Sequence, residues 1–90
     1  MTGYVMKKIV FSGHAEMKFG VLERHGFVIE RDLVISTIQN PEIVEEGYKG
    51  RKIAQRAIDE LHVIRVVYQD FPEELRVITF YPGRRKRYEN

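Results

Sequence analysis

The most chemically suggestive stretch of this sequence is its end, Tyr81-Pro-Gly-Arg-Arg-Lys-Arg-Tyr-Glu-Asn90. Arg84, Arg85, Lys86 and Arg87 place four positive charges side by side, bracketed by Tyr81 and Tyr88. Guanidinium forks match phosphate oxygens in bidentate fashion, and aromatic faces stack on unpaired bases. A phenol between arginines can also have its pKa lowered from about 10, which would make it a better base. Lys49, Arg51, Lys52 and Arg56 form a second cluster, with no acid among residues 49–56. Acidic blocks at Glu42, Glu45, Glu46 and at Asp70, Glu73, Glu74 balance the two, so the net charge is only +2. Such polarity attracts phosphates locally while the whole protein stays near neutral. Each basic run reads equally as a solvated surface.

The histidines come next. At ~100° per residue, His14, Lys18 and His25 fall within ~40° of one another on one helix edge. A cation one turn away favours the neutral imidazole, which can act as a base. His14 and His25 lie about 16 Å apart along a helix, too far to share a metal ion. The chain has no cysteine, which removes disulfides, thiolate nucleophiles and cysteine-based zinc sites. No nucleotide-binding glycine motif and no HExxH occurs. No metal and no cofactor is therefore expected.

These residues need a scaffold. Ninety residues at 43% hydrophobic and 31% charged suffice for one domain, 1–90. No apolar run approaches ~18 residues, so no membrane span is expected. The opening MTGYVMKKIVFSGHAE lacks a long apolar stretch followed by a cleavage site, so no signal peptide is expected. With no cysteine, a reducing, cytoplasmic setting is expected.

Residues 7–12 read as a first strand, with Ser12 as the cap of a helix over 14–25. Ala15, Phe19 and Leu22 fall between ~80° and ~140° on that helix and make its buried stripe. Gly26 suits the left-handed position after it. A second helix spans about 30–39, with Val34, Ile35 and Ile38 inward, and Asn40-Pro41 ends it or caps a brief further turn through Glu45. Strands are expected at 51–58, 61–68 and 75–81. The first of these, RKIAQRAI, also has helical spacing, but the next strand follows closely enough to favour a meander. Asp59-Glu60 fits a two-residue hairpin turn, and Pro82-Gly83 are expected to break the last strand. The order β-α-α-β-β-β predicts an α+β fold, with the two N-terminal helices packed on an antiparallel sheet.

Three stretches carry a family resemblance: SGHAEMKFGVLERHGF, NPEIVEEGYKGRKIAQ and LRVITFYPGRRKRYE. They resemble a group of small prokaryotic proteins with a His-Ala helix start and a last strand followed by arginines and tyrosine. That group looks like a relative of the BrnT and RelE/ParE-type toxins of type II toxin–antitoxin systems. The resemblance implies a RelE-like domain, two helices on a curved antiparallel sheet. It implies a metal-independent endoribonuclease that cuts messenger RNA on the ribosome and is neutralised by a small antitoxin protein. On that mapping Arg84, Arg85 and Arg87 hold the phosphate and Tyr88 is the candidate base. Arg51 and Arg56, with Lys49, Lys52, Tyr81 and Lys86, extend the RNA track, and His14 and Lys18 supply acid–base chemistry. ParE-type relatives act on gyrase instead, so fold does not choose the target. The alternative is a non-catalytic module that binds RNA or protein.

Overall fold

A computed structural model describes residues 7–88. The first six residues, on which the expectation of no signal peptide partly rests, lie outside that range. The elements are β1 (Lys8–Phe11), α1 (Gly13–Arg24), α2 (Arg31–Gln39), β2 (Ile43–Glu46), a 3₁₀ turn (Tyr48–Gly50), β3 (Lys52–Ala57), β4 (His62–Asp70), β5 (Glu74–Arg84) and α3 (Arg85–Tyr88). The fold is α+β. Its five-stranded sheet has the order β1-β5-β4-β3-β2, and both long helices cover one face.

The sheet is mixed, not wholly antiparallel as expected. β1 lies parallel to β5, pairing Lys8 with Glu74 through Phe11 with Val77. Ser12, the residue after β1, ties the end of that strand to β5. The Ser12 amide donates to the Val77 carbonyl, and Ser12 Oγ donates to the Ile78 carbonyl at 3.0 Å while accepting from the Ala15 amide. One serine thus closes the strand and caps α1. Ile78 is the extra residue of a β-bulge, since Val67 faces Thr79 but Tyr68 faces Val77. Its carbonyl finds its partner in Ser12.

Two further expectations change. The segment after Asn40-Pro41 forms β2, an edge strand on β3, rather than a loop or helical turn. Ile43 and Val44 suit a pleat, and Glu45 and Glu46 put charge on the edge, which discourages indiscriminate pairing. β5 runs through Pro82-Gly83 to Arg84 instead of stopping at Tyr81. β1 covers β5 only as far as Val77, so Pro82 stands where the outer edge of β5 is open. A missing N–H there deprives no neighbouring strand.

The β3–β4 connection is residues 58–61, longer than the expected two-residue turn. Asp59 Oδ1 accepts the amides of Leu61 and His62, at 2.7 and 2.8 Å. That Asx turn replaces the glycine such hairpins normally need. Gly26 adopts φ 90° after α1, as its position predicts.

The core lies between the helices and one sheet face. Ala15, Leu22, Ile29, Val34 and Ile38 meet Ala54, Ile64, Val66, Tyr68, Val77 and Phe80. Phe19 stacks on Phe80 with ring centroids 4.6 Å apart. On α2 the buried positions are Val34, Thr37 and Ile38, with Ile35 at the margin. Thr37 enters the core because its hydroxyl donates to the Leu33 carbonyl at 2.7 Å, leaving only its methyl to pack. Among the described residues no helix is long and apolar enough to cross a membrane.

Candidate functional site

Strand alternation sends every second residue to the sheet face away from the helices. On β4, Ile64, Val66 and Tyr68 belong to the core, so Val63, Arg65 and Val67 face the other way. Arg65 sits opposite Gln55 on β3 and Tyr81 on β5, and Gln55 sits opposite Ile43 on β2. A polar row therefore crosses the middle of the open face.

Arg65 is only 5% exposed and Gln55 only 2%. A cation so buried needs partners. Arg65 Nε donates to Tyr81 Oη at 3.0 Å, Nη1 donates to Gln55 Oε1, and Nη2 donates to Glu45 Oε1 at 3.0 Å. The Tyr88 ring covers the guanidinium, its centroid 4.2 Å from Cζ. Burial alone would lower the Arg65 pKa, but the hydrogen bonds to Tyr81 and Glu45 more than offset it and hold the group above its ordinary value. The cation is permanent.

The end of the chain reaches this point because of two local features. The Arg85 amide donates to the Leu61 carbonyl at 2.8 Å, which starts α3 at the rim of the sheet. α3 then turns Tyr88 over Gly83. A β-carbon on Gly83 would stand 2.5 Å from Tyr88 Cε2, so the ring occupies the space that a side chain would fill.

Beside this cluster, Arg84, Lys86 and Arg87 line an open concavity of about 400 Å³. Arg85 Nη1 approaches the Asp59 carbonyl at 3.4 Å. Tyr81, Arg84, Lys86, Arg87 and Tyr88 are thus gathered at one end of β5, as the sequence suggested.

The remaining expected residues are elsewhere. The 49–56 cluster is divided by the sheet. Lys52 and Arg56 alternate onto the helix side, opposite Tyr68 and Ile64, and Arg56 Nη1 points to the Asn40 carbonyl at 3.4 Å. Lys49 caps the β2–β3 hairpin at φ 59°, its ammonium 5.4 Å from the Tyr48 ring centroid. Arg51 has its Nε buried with no hydrogen-bond partner among the described residues. His14 is exposed at the start of α1, beside the Val77 end of β5, and Lys18 follows one turn later. At ~3.3 Å per residue, Val77 and Arg84 lie about 23 Å apart along the strand. α1 also packs on the face opposite Arg65 and Tyr88. The structure does not bring His14 and Lys18 to the arginine–tyrosine end.

Arg65 and Gln55 were not singled out in the sequence, and Glu45 stood out only as part of an acidic block. A signal for the first was present. A single arginine inside the apolar run HVIRVVY must face either solvent or a built polar site, and that residue type is rarely buried without partners.

Among the described residues no group of three His, Cys, Asp or Glu side chains is placed to hold a metal ion. Comparison with family models, curated proteins and solved structures finds no match to this chain.

Proposed function

We propose that this protein is a toxin of the RelE/BrnT-like kind, a metal-independent endoribonuclease acting on messenger RNA in the cytoplasm and neutralised by a small antitoxin. The observation that supports this reading is the meeting of Arg65, Tyr81 and Tyr88 on the sheet face that the helices leave open, next in the chain to the Arg84–Lys86–Arg87 concavity where β5 ends. The finer RelE-like topology belongs to the same proposal, with β2 as an added edge strand.

The chemistry asked of the site is modest. An RNA 2′-oxygen attacks the adjacent phosphorus, and its proton passes to a base. The 5′-oxygen of the next nucleotide leaves and takes up a proton, and a 2′,3′-cyclic phosphate remains. Cations at the phosphate stabilise the charge that builds in between, and that stabilisation is the main source of rate enhancement in such a site. In this reading Arg84, Lys86 and Arg87 hold the backbone and Tyr88 exchanges the proton. His14 and Lys18 then serve the helix layer, not the reaction.

The test is induced expression in a bacterial host, reading growth and message integrity for wild type, Arg85→Ala, Arg87→Ala and Tyr88→Phe, with the purified proteins added to translating ribosomes. Growth arrest with cleaved message, relieved by Arg87→Ala and Tyr88→Phe, is the expected result. Intact message in both settings, at good soluble expression, overturns the nuclease reading.

One observation favours a second reading, a module that binds RNA without cutting it. The Arg65 guanidinium already donates to three protein groups and lies under Tyr88. A binding module retains RNA with a salt-dependent affinity and releases it uncut.

A further inference from the structure

The contacts of Arg65 are unequal. Gln55 is buried on β3, Tyr81 comes from β5, and Tyr88 lies across the guanidinium plane. Gln55 and Tyr81 hold the group from the strands on either side of β4, and Tyr88 covers it. Glu45 is different. It comes from β2, an edge strand with one neighbour and all four residues exposed, and its side chain is 47% exposed against 6% for Arg65. Among the described residues that hold Arg65, it is the most exposed, with Tyr81 and Tyr88 half-buried and Gln55 buried. Rotation of the Glu45 side chain would not disturb Gln55, Tyr81 or Tyr88, so Nη2 would stay in place with its donor exposed. A donor held fixed by other groups is what an oxyanion site requires, because no ordering cost remains at binding.

We propose that the Nη2 edge of Arg65 is an oxyanion-binding position, occupied in the resting protein by the Glu45 carboxylate and taken by a phosphate oxygen when a phosphate ligand docks. That the ligand is the phosphodiester of an RNA rests on the function proposed above; the anion site itself does not. A carboxylate and a phosphate oxygen are alike to a guanidinium donor, and both form charge-assisted bonds with it. Glu45 therefore keeps the buried cation paired when the site is empty and competes with any phosphate that arrives. The protein binds phosphate weakly until its own carboxylate leaves.

Glu46 supplies the control. It is the next residue on β2, carries the same charge and is exposed, but it alternates to the other side, opposite Lys52. Glu45→Gln and Glu46→Gln remove identical net charge, and only the first weakens the group that competes for Arg65.

The experiment is an inorganic phosphate titration of wild type and both variants at constant ionic strength, followed by thermal unfolding. The Arg65 Nε–H resonance is followed in parallel in wild type and Glu46→Gln, which retain all the contacts of Arg65. The Glu45→Gln protein is expected to bind phosphate about tenfold more tightly than wild type, the scale of one charge-assisted hydrogen bond. Glu46→Gln is expected to match wild type. In wild type the Arg65 resonance is expected to shift at high phosphate and not at equal chloride. Equal phosphate response of the two variants, together with an unmoved Arg65 resonance, overturns the proposal. If Glu45→Gln fails to fold, the wild-type resonance decides alone. Titration with a short single-stranded RNA then separates the two claims. Phosphate binding at Arg65 without RNA binding retains the anion site and rejects the RNA reading. RNA binding with no difference between the variants and a silent Arg65 rejects the anion site and retains the RNA reading.

Discussion

Replacing Gly83 by alanine should act almost entirely through Tyr88. The backbone of Gly83 does not have a positive φ, so alanine meets no conformational penalty there. In a backbone that accepts it, glycine to alanine stabilises by about 0.4–1 kcal/mol through the unfolded chain. Against this stands a β-carbon 2.5 Å from Tyr88 Cε2 and 3.1 Å from Cδ2. The ring must move away, and leaving Arg65 forfeits a cation–π contact worth about 0.5–2 kcal/mol, on top of lost packing. The net expectation is a loss of about 1 kcal/mol, or a fall in Tm of about 4–8 °C for a domain of this size. In a Tyr88→Ala background the obstacle is gone, and the same substitution should be neutral or stabilise by about 0.5 kcal/mol. Urea unfolding of the four proteins closes the cycle, with an expected coupling of about 1–2 kcal/mol. Equal effects of Gly83→Ala in both backgrounds, within about 0.3 kcal/mol, would refute the placement of Tyr88 on Gly83, and with it the covering of Arg65.

Single contacts give further expected outcomes. Ser12→Ala removes the α1 cap and strands the Ile78 carbonyl, and should cost about 1–2 kcal/mol in urea unfolding. Asp59 is held below the usual carboxylate range, chiefly by the Leu61 amide, against an opposing effect of desolvation, with His62 adding to the depression. Its folded pKa is lowered, so its stabilisation is present above the ordinary carboxylate pKa and is lost as pH falls through the folded value; Asp59→Asn should flatten the acid limb of a Tm–pH profile. Tyr68 is pushed up by burial first and then by Asp70 and Glu46. Its raised folded pKa means that its contribution is complete below about pH 10 and is lost as pH rises through the folded value. Tyr68→Phe should remove that part of the alkaline fall in stability, read by unfolding at high pH.

Some features are written in local sequence because they depend on neighbours a few residues away. The Ser12 cap, Gly26 after α1 and the stop at Asn40 rest on local backbone and side-chain chemistry, and the structure has them where the residues place them; the β-rich runs do form β4 and β5, but both strands continue past the expected ends at Tyr68 and Tyr81. The arginine–tyrosine group is legible for the same reason, since Arg84 to Tyr88 follow one another along the chain. Tertiary structure decided the rest. The pairing of β1 with β5, which is parallel, joins residues 66 positions apart, as the Ser12–Ile78 bond shows, and no local pattern in β1 reports it. Pro82 is permitted in β5 only because β1 ends at Phe11 and leaves that edge open. The division of the 49–56 cluster follows from strand parity, which sets Arg56 toward the helices and Gln55 toward Arg65. Arg65 itself looks in sequence like any exposed arginine. Four partners from three other strands and a short helix, brought together only by sheet order, make it the centre of the open face. A local pattern specifies which elements form, but the pairing of strands specifies which side chains meet.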